Sequence, residues 1–582
     1  MTFARKFAIF LASFALAGCA TIDPVPSADT IQLRVVGIND FHGNLEPLAR
    51  PMGIRLSEDE TVRVPVAGAA WLAGAIDEIR AESKNTLVIS AGDLIGGSPL
   101  VSSIFLDEPT IGVMNRLGLD FNAVGNHEFD RGWQELKRMQ DGGCDKLTMR
   151  EPCAVEDPFT GAEFTFLAAN VVTPDNRTLF PAYGTRIYGE GEDAVRIAVI
   201  GLTLEETPTL VTPSGVAGLR FLSEARTINS LIPQIRSLGI ETIILSIHQG
   251  LYSSLPYAVG GCEGIEGPLL AILAELDPAI DLVHSGHTHQ SYVCDYASID
   301  PERQFLVTSG GYGGSYLTDV TLTIDRDSGD VIGYEGRNRV IQSEGVDREG
   351  NPLVTDARLD SFAPTADMAG YVAQYVEAAR GASERSVGRI SDLARKGGPP
   401  TEETPLGNLI ADAQLEATRS AGAQIALMNN SGVRGDLVPR PSGEVSYGDI
   451  FTVQPFGNTL VTRSYSGAQL LALLEQQFDD TGFIQTFSIS DGFSFAYDLS
   501  QPLGNRVKAA SLNGAAINPA VTYRVTMNSF LAAGGDSFTI FTEGSNSVTG
   551  PVDLDAFEAY LRRVEVAELP ETGRITDQTP SS

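Results

Sequence analysis

The chain has 582 residues, of which 43% are hydrophobic and 20% are charged, a composition typical of folded proteins and not of disordered ones. A single hydrophobic core does not serve a chain of this length, so two or more large domains are expected. The formal net charge of −33 argues against a nucleic-acid polymer as partner, because such binding requires basic surfaces. An anionic substrate must therefore be bound by local positive charge, from metal ions or a few arginines.

Residues 1–19 are predicted to be an export signal. Two basic residues precede the apolar run 7–17, which is too short to span a bilayer. Leu16-Ala17-Gly18-Cys19 then resembles the lipobox of bacterial lipoproteins, in which the cysteine is lipidated and becomes the mature N-terminus. An ordinary secretory signal with an incidental cysteine is the alternative. With Ala20 next, we expect a lipoprotein on the periplasmic face of the outer membrane, attached to the membrane by its N-terminal lipid.

Four cysteines remain once Cys19 is assigned to the lipid anchor. An even number in an exported chain predicts disulfides. The pairs closest in sequence are Cys144–Cys153 and Cys262–Cys294, although four cysteines permit three pairings. A cysteine-bound metal is less favoured, because no two of them have the Cys-x-x-Cys spacing.

Strand and helix patterns alternate along the first half of the chain. The first strand is predicted at 31–38, and apolar residues at helical spacing predict a helix at about 67–83. Helices are also predicted at 111–117 and 225–238, and the further strands are predicted at 86–90, 121–124, 164–168, 195–200, 242–246, 281–284 and 304–308. This alternation predicts an α/β fold in which helices cover the sheet.

The patterns divide the chain into two domains. The first is placed at 30–345, and a polar stretch rich in Gly and Asp follows it. A linker helix is predicted at 364–385, and a second mixed α/β domain at 386–566. Residues 573–582 are expected to form a disordered tail.

The six histidines are the most informative residues of the sequence. All lie in the first half of the chain, at or just beyond the end of a predicted strand: His42, His127, His248, His284, His287 and His289. Asp40, Asp93 and Asn126 occupy the same kind of position. Because sites in open α/β sheets form outside the carboxyl ends of the strands, these side chains should converge on one crevice. His284 lies within its strand and is interpreted as a core histidine with satisfied hydrogen bonds.

The donor atoms in this set are nitrogen and oxygen, which suit zinc, manganese, iron or magnesium. Each motif alone is weak, since a lone His-x-His is more often a surface or core feature. Together they supply more ligands than one tetrahedral ion with an open position can use. Two ions that share a carboxylate account for the number better, and such a pair, about 3.5–4 Å apart, stabilises both the attacking and the leaving oxygen of a phosphoryl displacement.

Taken together, the motifs resemble those of the calcineurin-like metallophosphoesterases. Within that superfamily they resemble the 5′-nucleotidase family, which includes periplasmic UDP-sugar hydrolase/5′-nucleotidase and animal ecto-5′-nucleotidase. The motifs are Asp40-Phe41-His42-Gly43-Asn44, Gly92-Asp93, Gly125-Asn126-His127-Glu128, His248 and Gly286-His287-Thr288-His289. The resemblance implies an N-terminal β-sandwich flanked by helices, a linker helix and a C-terminal α/β substrate-binding domain.

The resemblance also implies a role for each residue. One divalent ion, zinc or manganese, would be bound by Asp40, His42, Asp93 and His289, and a second by Asp93, Asn126, His248 and His287. His127 would stabilise charge on the phosphoryl group, and Asp130 would orient it through a hydrogen bond. A metal-bound water would be the nucleophile of an in-line attack. Glu128 has no firm role, and we interpret it as a carboxylate at a helix start or behind the ligands.

Loops of the second domain resemble the nucleotide-binding domain of the same family. Phe456 and Phe530 lie in Gly-rich loops, where an exposed ring gains by stacking on a base, although a core position is the alternative for either ring alone. The resemblance implies that these rings clamp the base and that Asp536 holds the ribose. Asn429 and Arg434 would contact the nucleoside and the phosphates, and a guanidinium suits phosphate geometry.

One departure from the family is visible. The family's additional phosphate-binding arginines are absent from the stretch before Gly407-Asn408, and Arg395 and Lys396 are the candidates to substitute for them from a different loop position. The sequence therefore predicts an exported, monomeric dimetal hydrolase that converts nucleotides to nucleoside and phosphate. UDP-sugar hydrolysis and 2′,3′-cyclic-nucleotide phosphodiester hydrolysis are alternatives, because the metal motifs do not distinguish them. A nucleotide-binding lipoprotein without catalysis is a third, which the complete ligand set disfavours.

Overall fold

A computed structural model of the chain describes residues 29–580, apart from positions 49, 58, 149, 192–193, 256–260, 346–350, 399–401 and 479–485. The predicted signal peptide and its Cys19 lie outside the described residues. Within the described residues, no helix combines the length and the apolar character that crossing a bilayer requires.

Two six-stranded sheets form the centre of the N-terminal domain. The first has the spatial order Val331–Val340, Tyr316–Asp325, Thr30–Ile38, Thr86–Ser90, Phe121–Ala123 and Thr165–Leu167. The second has the order Ser291–Asp295, Leu306–Gly310, Leu282–Ser285, Thr242–Ile247, Val195–Leu202 and Tyr183–Tyr188. The inner strands of both sheets pair in parallel, so their carboxyl ends point the same way.

The sheets face each other across an apolar layer. Leu33, Val35 and Leu87 of the first sheet pack in one buried cluster with Val199 and Ile244 of the second. Every second residue of a strand points to one face, and both faces of these sheets are covered, so the inner strands are apolar on both sides. The predicted β-sandwich is therefore confirmed.

Helices cover the outer faces of both sheets. Ala69–Glu82 and Glu108–Leu117 pack on the first sheet, and Glu224–Arg236 and Leu269–Glu275 pack on the second. Ala366–Ser383 packs against Ala69–Glu82 and Glu108–Leu117. The remaining α-helices and short strands of this domain are Leu100–Ser103, Trp133–Asp141 and Thr207–Leu210, and the strand pairs Met52–Arg55 with Thr61–Val64 and Val171–Val172 with Arg220–Phe221.

Ala366–Ser383 corresponds to the predicted linker helix, and it contributes to the core of the first domain. Tyr371 and Tyr375 on this helix are buried, and both belong to the same apolar cluster as the outer helices. Gly112 permits the close approach, because a Cβ atom there would lie 1.8 Å from the Tyr371 hydroxyl oxygen. The helix therefore joins the two domains while it is packed firmly against one of them.

The C-terminal domain is mixed α/β, as predicted. A five-stranded sheet has the order Phe487–Ile489, Ile425–Asn429, Thr522–Asn528, Thr459–Ser466 and Ser545–Val552. A four-stranded sheet has the order Ala515–Ala516, Val507–Leu512, Phe493–Tyr497 and Ile575–Asp577, and Ser386–Arg389 pairs with Glu444–Ser446. The α-helices are Pro405–Thr418, Tyr447–Val453, Gly467–Glu475, Ser529–Ala532 and Asp553–Arg563.

The prediction of a disordered tail at 573–582 is wrong for the residues that the structure describes. Ile575–Asp577 forms a strand parallel to Phe493–Tyr497. Arg574 fixes its start, since its guanidinium donates to both carboxylate oxygens of Asp412 at 2.8 and 2.9 Å. The pairing uses backbone groups and one ion pair, which a polar, Pro- and Ser-containing composition does not indicate.

The cysteines pair locally. The structure contains the disulfides Cys144–Cys153 and Cys262–Cys294, which are the pairings between nearest neighbours in sequence. Disulfides of this kind persist in oxidising compartments.

The two domains contact each other around one cavity. Leu100, from the first domain, is 3% exposed and packs in an apolar cluster of the C-terminal domain. The Arg150 guanidinium lies 5.6 Å from the Phe451 ring centroid, and Arg50 forms an ion pair with Asp436. The cavity between them has a volume of about 380 Å³ and is lined by both domains.

Candidate active site

Asp40, His42 and His289 form the first group of possible metal ligands. The Nε2 atoms of His42 and His289 lie 3.2 Å apart, and His289 Nε2 lies 3.5 Å from Asp40 Oδ1. Asp40 and His42 follow the first strand, whereas His289 comes from the loop after Leu282–Ser285. Residues 247 positions apart thus meet because parallel strands end at the same edge of the fold.

Asp93, His248 and His287 form the second group, and Asn126 joins them. His248 Nε2 lies 3.1 Å from Asp93 Oδ2 and 3.0 Å from Asn126 Oδ1. His287 Nδ1 lies 3.1 Å from the same amide oxygen. Four donor atoms from four loops therefore surround one position.

Asp93 lies between the two groups. Its Oδ2 atom is 3.1 Å from His248 Nε2 and 3.7 Å from His42 Nε2, so one oxygen faces both groups. Its Oδ1 atom accepts a hydrogen bond from the His127 backbone N–H at 2.9 Å. The carboxylate is thus oriented as a bridge. All seven predicted ligands lie in these two groups, and their nitrogen and oxygen donors fit a pair of divalent ions.

Backbone carbonyls orient the ligand imidazoles. His42 Nδ1 donates to Gly96 O at 2.8 Å, and His248 Nδ1 donates to Ala91 O at 2.7 Å. With Nδ1 occupied, each Nε2 atom is left to bind an ion. Burial lowers the pKa of His42 to about 3 and that of His287 also to about 3. Both rings are neutral, as metal coordination requires.

Five of the ligand residues have left-handed backbones. The φ angles are +49° for Asp40, +46° for His42, +52° for Asp93, +70° for His287 and +57° for His289. Non-glycine residues rarely adopt such angles, and strained backbones of this kind concentrate at functional sites. Sharp turns directly after the strands thereby aim the side chains into the crevice.

His127 lies beside the ligand groups and pairs with Asp130. Its Nδ1 atom is 2.9 Å from Asp130 Oδ2, and the same oxygen accepts the Gly97 N–H at 3.2 Å. Burial lowers the pKa of His127, but the carboxylates of Asp130 and Asp93 outweigh this effect and hold the pKa above its ordinary value. The pair is suited to stabilise negative charge next to the two ligand groups.

The structure identifies a role for Glu128. Its Oε2 atom accepts the N–H groups of Asp93 and Gly125 at 2.9 and 2.7 Å, and its Oε1 atom accepts that of Leu94 at 2.9 Å. The carboxylate is 2% exposed. It ties the loop that contains the bridging aspartate to the loop that contains His127. This agrees with the interpretation of Glu128 as a carboxylate behind the ligands.

His284 is separate from the ligand groups. Its Nε2 atom donates to Ile38 O at 2.9 Å and its Nδ1 atom is 3.1 Å from Thr308 Oγ1. Burial lowers its pKa to about 4, so the ring is neutral. It is a core histidine with both nitrogens hydrogen-bonded, in line with its position within a strand.

Arg434 brings a guanidinium from the second domain to the cavity. In the described part of the chain it forms no ion pair with a carboxylate, and its Nη1 atom donates a hydrogen bond to Ser431 O at 3.5 Å. It lies 5.8 Å from the Phe456 ring, and burial lowers its pKa. A guanidinium that faces the cavity without a carboxylate partner is a ready site for an anion.

The other predicted substrate residues also line this cavity. Asp536 Oδ2 accepts hydrogen bonds from Asn429 Nδ2 at 2.9 Å and from Ser431 Oγ at 2.6 Å. Phe456 stacks on His127, with ring centroids 5.7 Å apart and planes inclined by 10°. Phe530 packs so closely on Gly535 that a Cβ atom there would lie 2.4 Å from the ring.

Some lining residues were not among the predicted ones. Leu210 and Tyr252 of the first domain line the cavity, and no pattern in their sequence surroundings indicates this position. Arg131 also lines the cavity, and its position directly after Asp130 was the available signal. Lys396 lies at the cavity wall, as the absence of the family's arginines had suggested, whereas Arg395 does not line it.

Comparison with known proteins gives the same picture for both domains. The family described as calcineurin-like phosphoesterase matches residues 33–291, and the family described as 5′-nucleotidase, C-terminal domain, matches residues 386–543. Cell wall protein Lmo0130 of Listeria monocytogenes is 28% identical over 93% of this chain and 68% of its own length. A 5′-nucleotidase of Vibrio vulnificus is 26% identical over 96% of each chain.

Solved structures also match this chain over nearly its whole length. The 5′-nucleotidase precursor from Thermus thermophilus superposes with a TM-score of 0.73 and 25% identity, over 94% of this chain and 99% of that one. The chain therefore belongs to the 5′-nucleotidase family of calcineurin-like phosphoesterases, whose members are metal-dependent hydrolases of phosphoric esters.

Proposed function

We propose that the protein hydrolyses nucleotides to nucleoside and phosphate. The observation that supports this most directly is the shared cavity, in which both ligand groups, His127 and the two predicted clamp rings lie together. Phe456 stacks on His127 at 5.7 Å, so a base held by that ring lies within one nucleotide's length of the ligand groups. The cavity of about 380 Å³ is of the size that small-molecule ligands occupy.

The proposed reaction assigns a part to Arg434, His127 and Asp130. Arg434 binds phosphoryl oxygens, because its guanidinium faces the cavity without a carboxylate partner among the described residues. His127, oriented by Asp130, donates a hydrogen bond to the phosphoryl group as negative charge develops. Two divalent ions held by the ligand groups would supply electrophilic charge and lower the pKa of water.

Phosphate release from a panel of substrates tests the proposal. AMP, ATP, UDP-glucose and 2′,3′-cyclic AMP are incubated with the purified protein loaded with manganese or zinc, with and without chelator. We expect release from AMP, loss of activity with chelator and recovery when the metal is restored. Faster turnover of UDP-glucose or of the cyclic nucleotide would favour those alternative substrates. Nucleotide binding without turnover of any of the four would leave the non-catalytic alternative.

Substitution of Phe456 by alanine tests the base clamp. Stacking of a base on an aromatic ring contributes roughly 1–3 kcal/mol, so we expect KM for AMP to rise by about 5- to 150-fold. Steady-state kinetics with p-nitrophenyl phosphate, which has no nucleobase, provide the control and should change little. If both substrates were affected equally, the ring would act through its contact with His127, and the clamp interpretation would fail.

A further inference from the structure

Asp107 has a buried carboxylate, and its position before a helix does not explain why the carboxylate is buried. It precedes the helix Glu108–Leu117 as the N-cap residue, and aspartate at that position ordinarily accepts a hydrogen bond from the first turn. Here the side chain makes no such bond, the residue is fully buried, and its φ angle is +64°. The carboxylate is therefore directed at something other than its own helix.

The Asp107 carboxylate contacts residues next to the active site. Asp107 Oδ2 accepts the Gly96 N–H at 3.2 Å and pairs with the Arg131 guanidinium, while Oδ1 accepts Ser102 Oγ at 2.6 Å. Arg131 is held in turn by Ser103 Oγ at 2.9 Å. A buried carboxylate needs a cation and hydrogen-bond donors to offset its desolvation, and these residues supply both.

Gly96 connects this pair to two parts of the active site. The same residue that donates to Asp107 accepts, through its carbonyl, the hydrogen bond from His42 Nδ1 at 2.8 Å. The N–H of the next residue, Gly97, donates to Asp130 Oδ2 at 3.2 Å. A Cβ atom on Gly96 would lie 2.3 Å from His127 O, so the loop passes tightly between the ligand group and the His127–Asp130 pair.

We propose that Asp107, paired with Arg131, is a positioning residue for phosphoester hydrolysis. By holding Gly96, it sets the orientation of the His42 ring and the position of Asp130 beside His127. One carboxylate thus acts on both the metal affinity of the first ligand group and the alignment of the group that stabilises charge. The catalytic half of this inference rests on the proposed function, whereas the metal-binding half does not.

The test compares Asp107→Ala with Asp107→Asn in the full chain. Manganese affinity is measured by competition with a chelator, and kcat and KM for AMP are measured at saturating manganese. We expect Asp107→Ala to weaken manganese binding by about 10- to 100-fold, the usual effect of losing a residue that supports a ligand. We also expect a fall in kcat of about 10- to 100-fold with KM changed less than about threefold. Manganese affinity and kcat should fall less in Asp107→Asn than in Asp107→Ala, because the amide oxygen can still accept the Gly96 N–H.

Matched variants separate positioning from general stability. Asp553→Asn changes a carboxylate that is also buried and accepts a backbone N–H, that of Leu554, in the C-terminal domain, and it should leave metal affinity and kcat unchanged. Manganese affinity and kcat should fall less in Arg131→Lys than in Arg131→Ala. Thermal melting of each variant gives the folded fraction to which the rates are normalised.

Two results would overturn the inference. Wild-type metal affinity and kcat in folded Asp107→Ala would reduce the pair to a structural role. A large rise in the KM of Asp107→Ala with unchanged kcat would instead indicate that Arg131, which Asp107 holds, contacts the substrate. If the wild-type protein hydrolysed none of the nucleotides but the variants still lost manganese affinity, the proposed function would fail and the support of His42 by Asp107 would stand.

Discussion

Replacing Asp93 by alanine is expected to remove bound metal and to lower phosphate release by roughly 10³-fold or more. The Oδ2 atom faces both ligand groups, at 3.1 Å from His248 Nε2 and 3.7 Å from His42 Nε2, so one substitution takes a donor from each. A pair of ions stabilises the charged transition state by several kcal/mol, and each 1.36 kcal/mol corresponds to a factor of ten in rate. The measurement is metal content by elemental analysis together with phosphate release.

Two further variants define this result. Asp93→Asn keeps an oxygen for the His127 N–H but lacks the negative charge, so it should also lose metal. Asp367→Ala, at an exposed position of the helix Ala366–Ser383, should behave as wild type. Retention of two ions and full activity in Asp93→Ala would refute the dimetal arrangement.

Replacing His127 by alanine is expected to lower kcat by about 10²- to 10⁴-fold while both ions remain bound. His127 is absent from both ligand groups, and its Nδ1 atom is engaged by Asp130 at 2.9 Å. A positioned proton donor or acceptor contributes a factor of that size. Elemental analysis should therefore give the wild-type metal content although turnover is lost.

Asp130→Asn tests the same site more mildly, because it keeps His127 and removes only the neighbouring charge. The carboxylates of Asp130 and Asp93 together outweigh burial and hold the pKa of His127 above its ordinary value, so the cation persists to higher pH in the wild type. Loss of the Asp130 charge lowers that pKa, and the alkaline fall in kcat should move to lower pH. Loss of metal from His127→Ala would place the ring among the ligands and contradict the assignment.

The ligand residues could be predicted because two independent patterns coincide at them. Apolar runs mark the strands, and His, Asp and Asn directly after those runs are chemically specific donors. In a parallel sheet, the ends of consecutive strands must lie at one edge. Residues such as His42 and His289 could thus be brought together without knowledge of the sequence between them.

Other parts of the site could not be predicted, for physical reasons. Asp107 lies 11 positions from Gly96 and 24 from Arg131, and no local pattern connects an aspartate before a helix with a peptide in another loop. The presence of Leu210 in the cavity lining depends on how the two domains meet. The strand Ile575–Asp577 forms through backbone pairing, which leaves little trace in its polar side chains.

The left-handed backbones of the ligand residues bear on which ion the protein uses. At about 1–3 kcal/mol per residue, such conformations are maintained by the surrounding fold, so the donors are held in place whether or not an ion is bound. Binding then requires little rearrangement, and one divalent ion can exchange for another without refolding. Donors held in fixed positions favour ions whose size and coordination geometry match those positions, in addition to the preference of nitrogen and oxygen donors for particular metals. The fold of the site should therefore stay the same when one divalent ion replaces another, and the ions should differ in affinity.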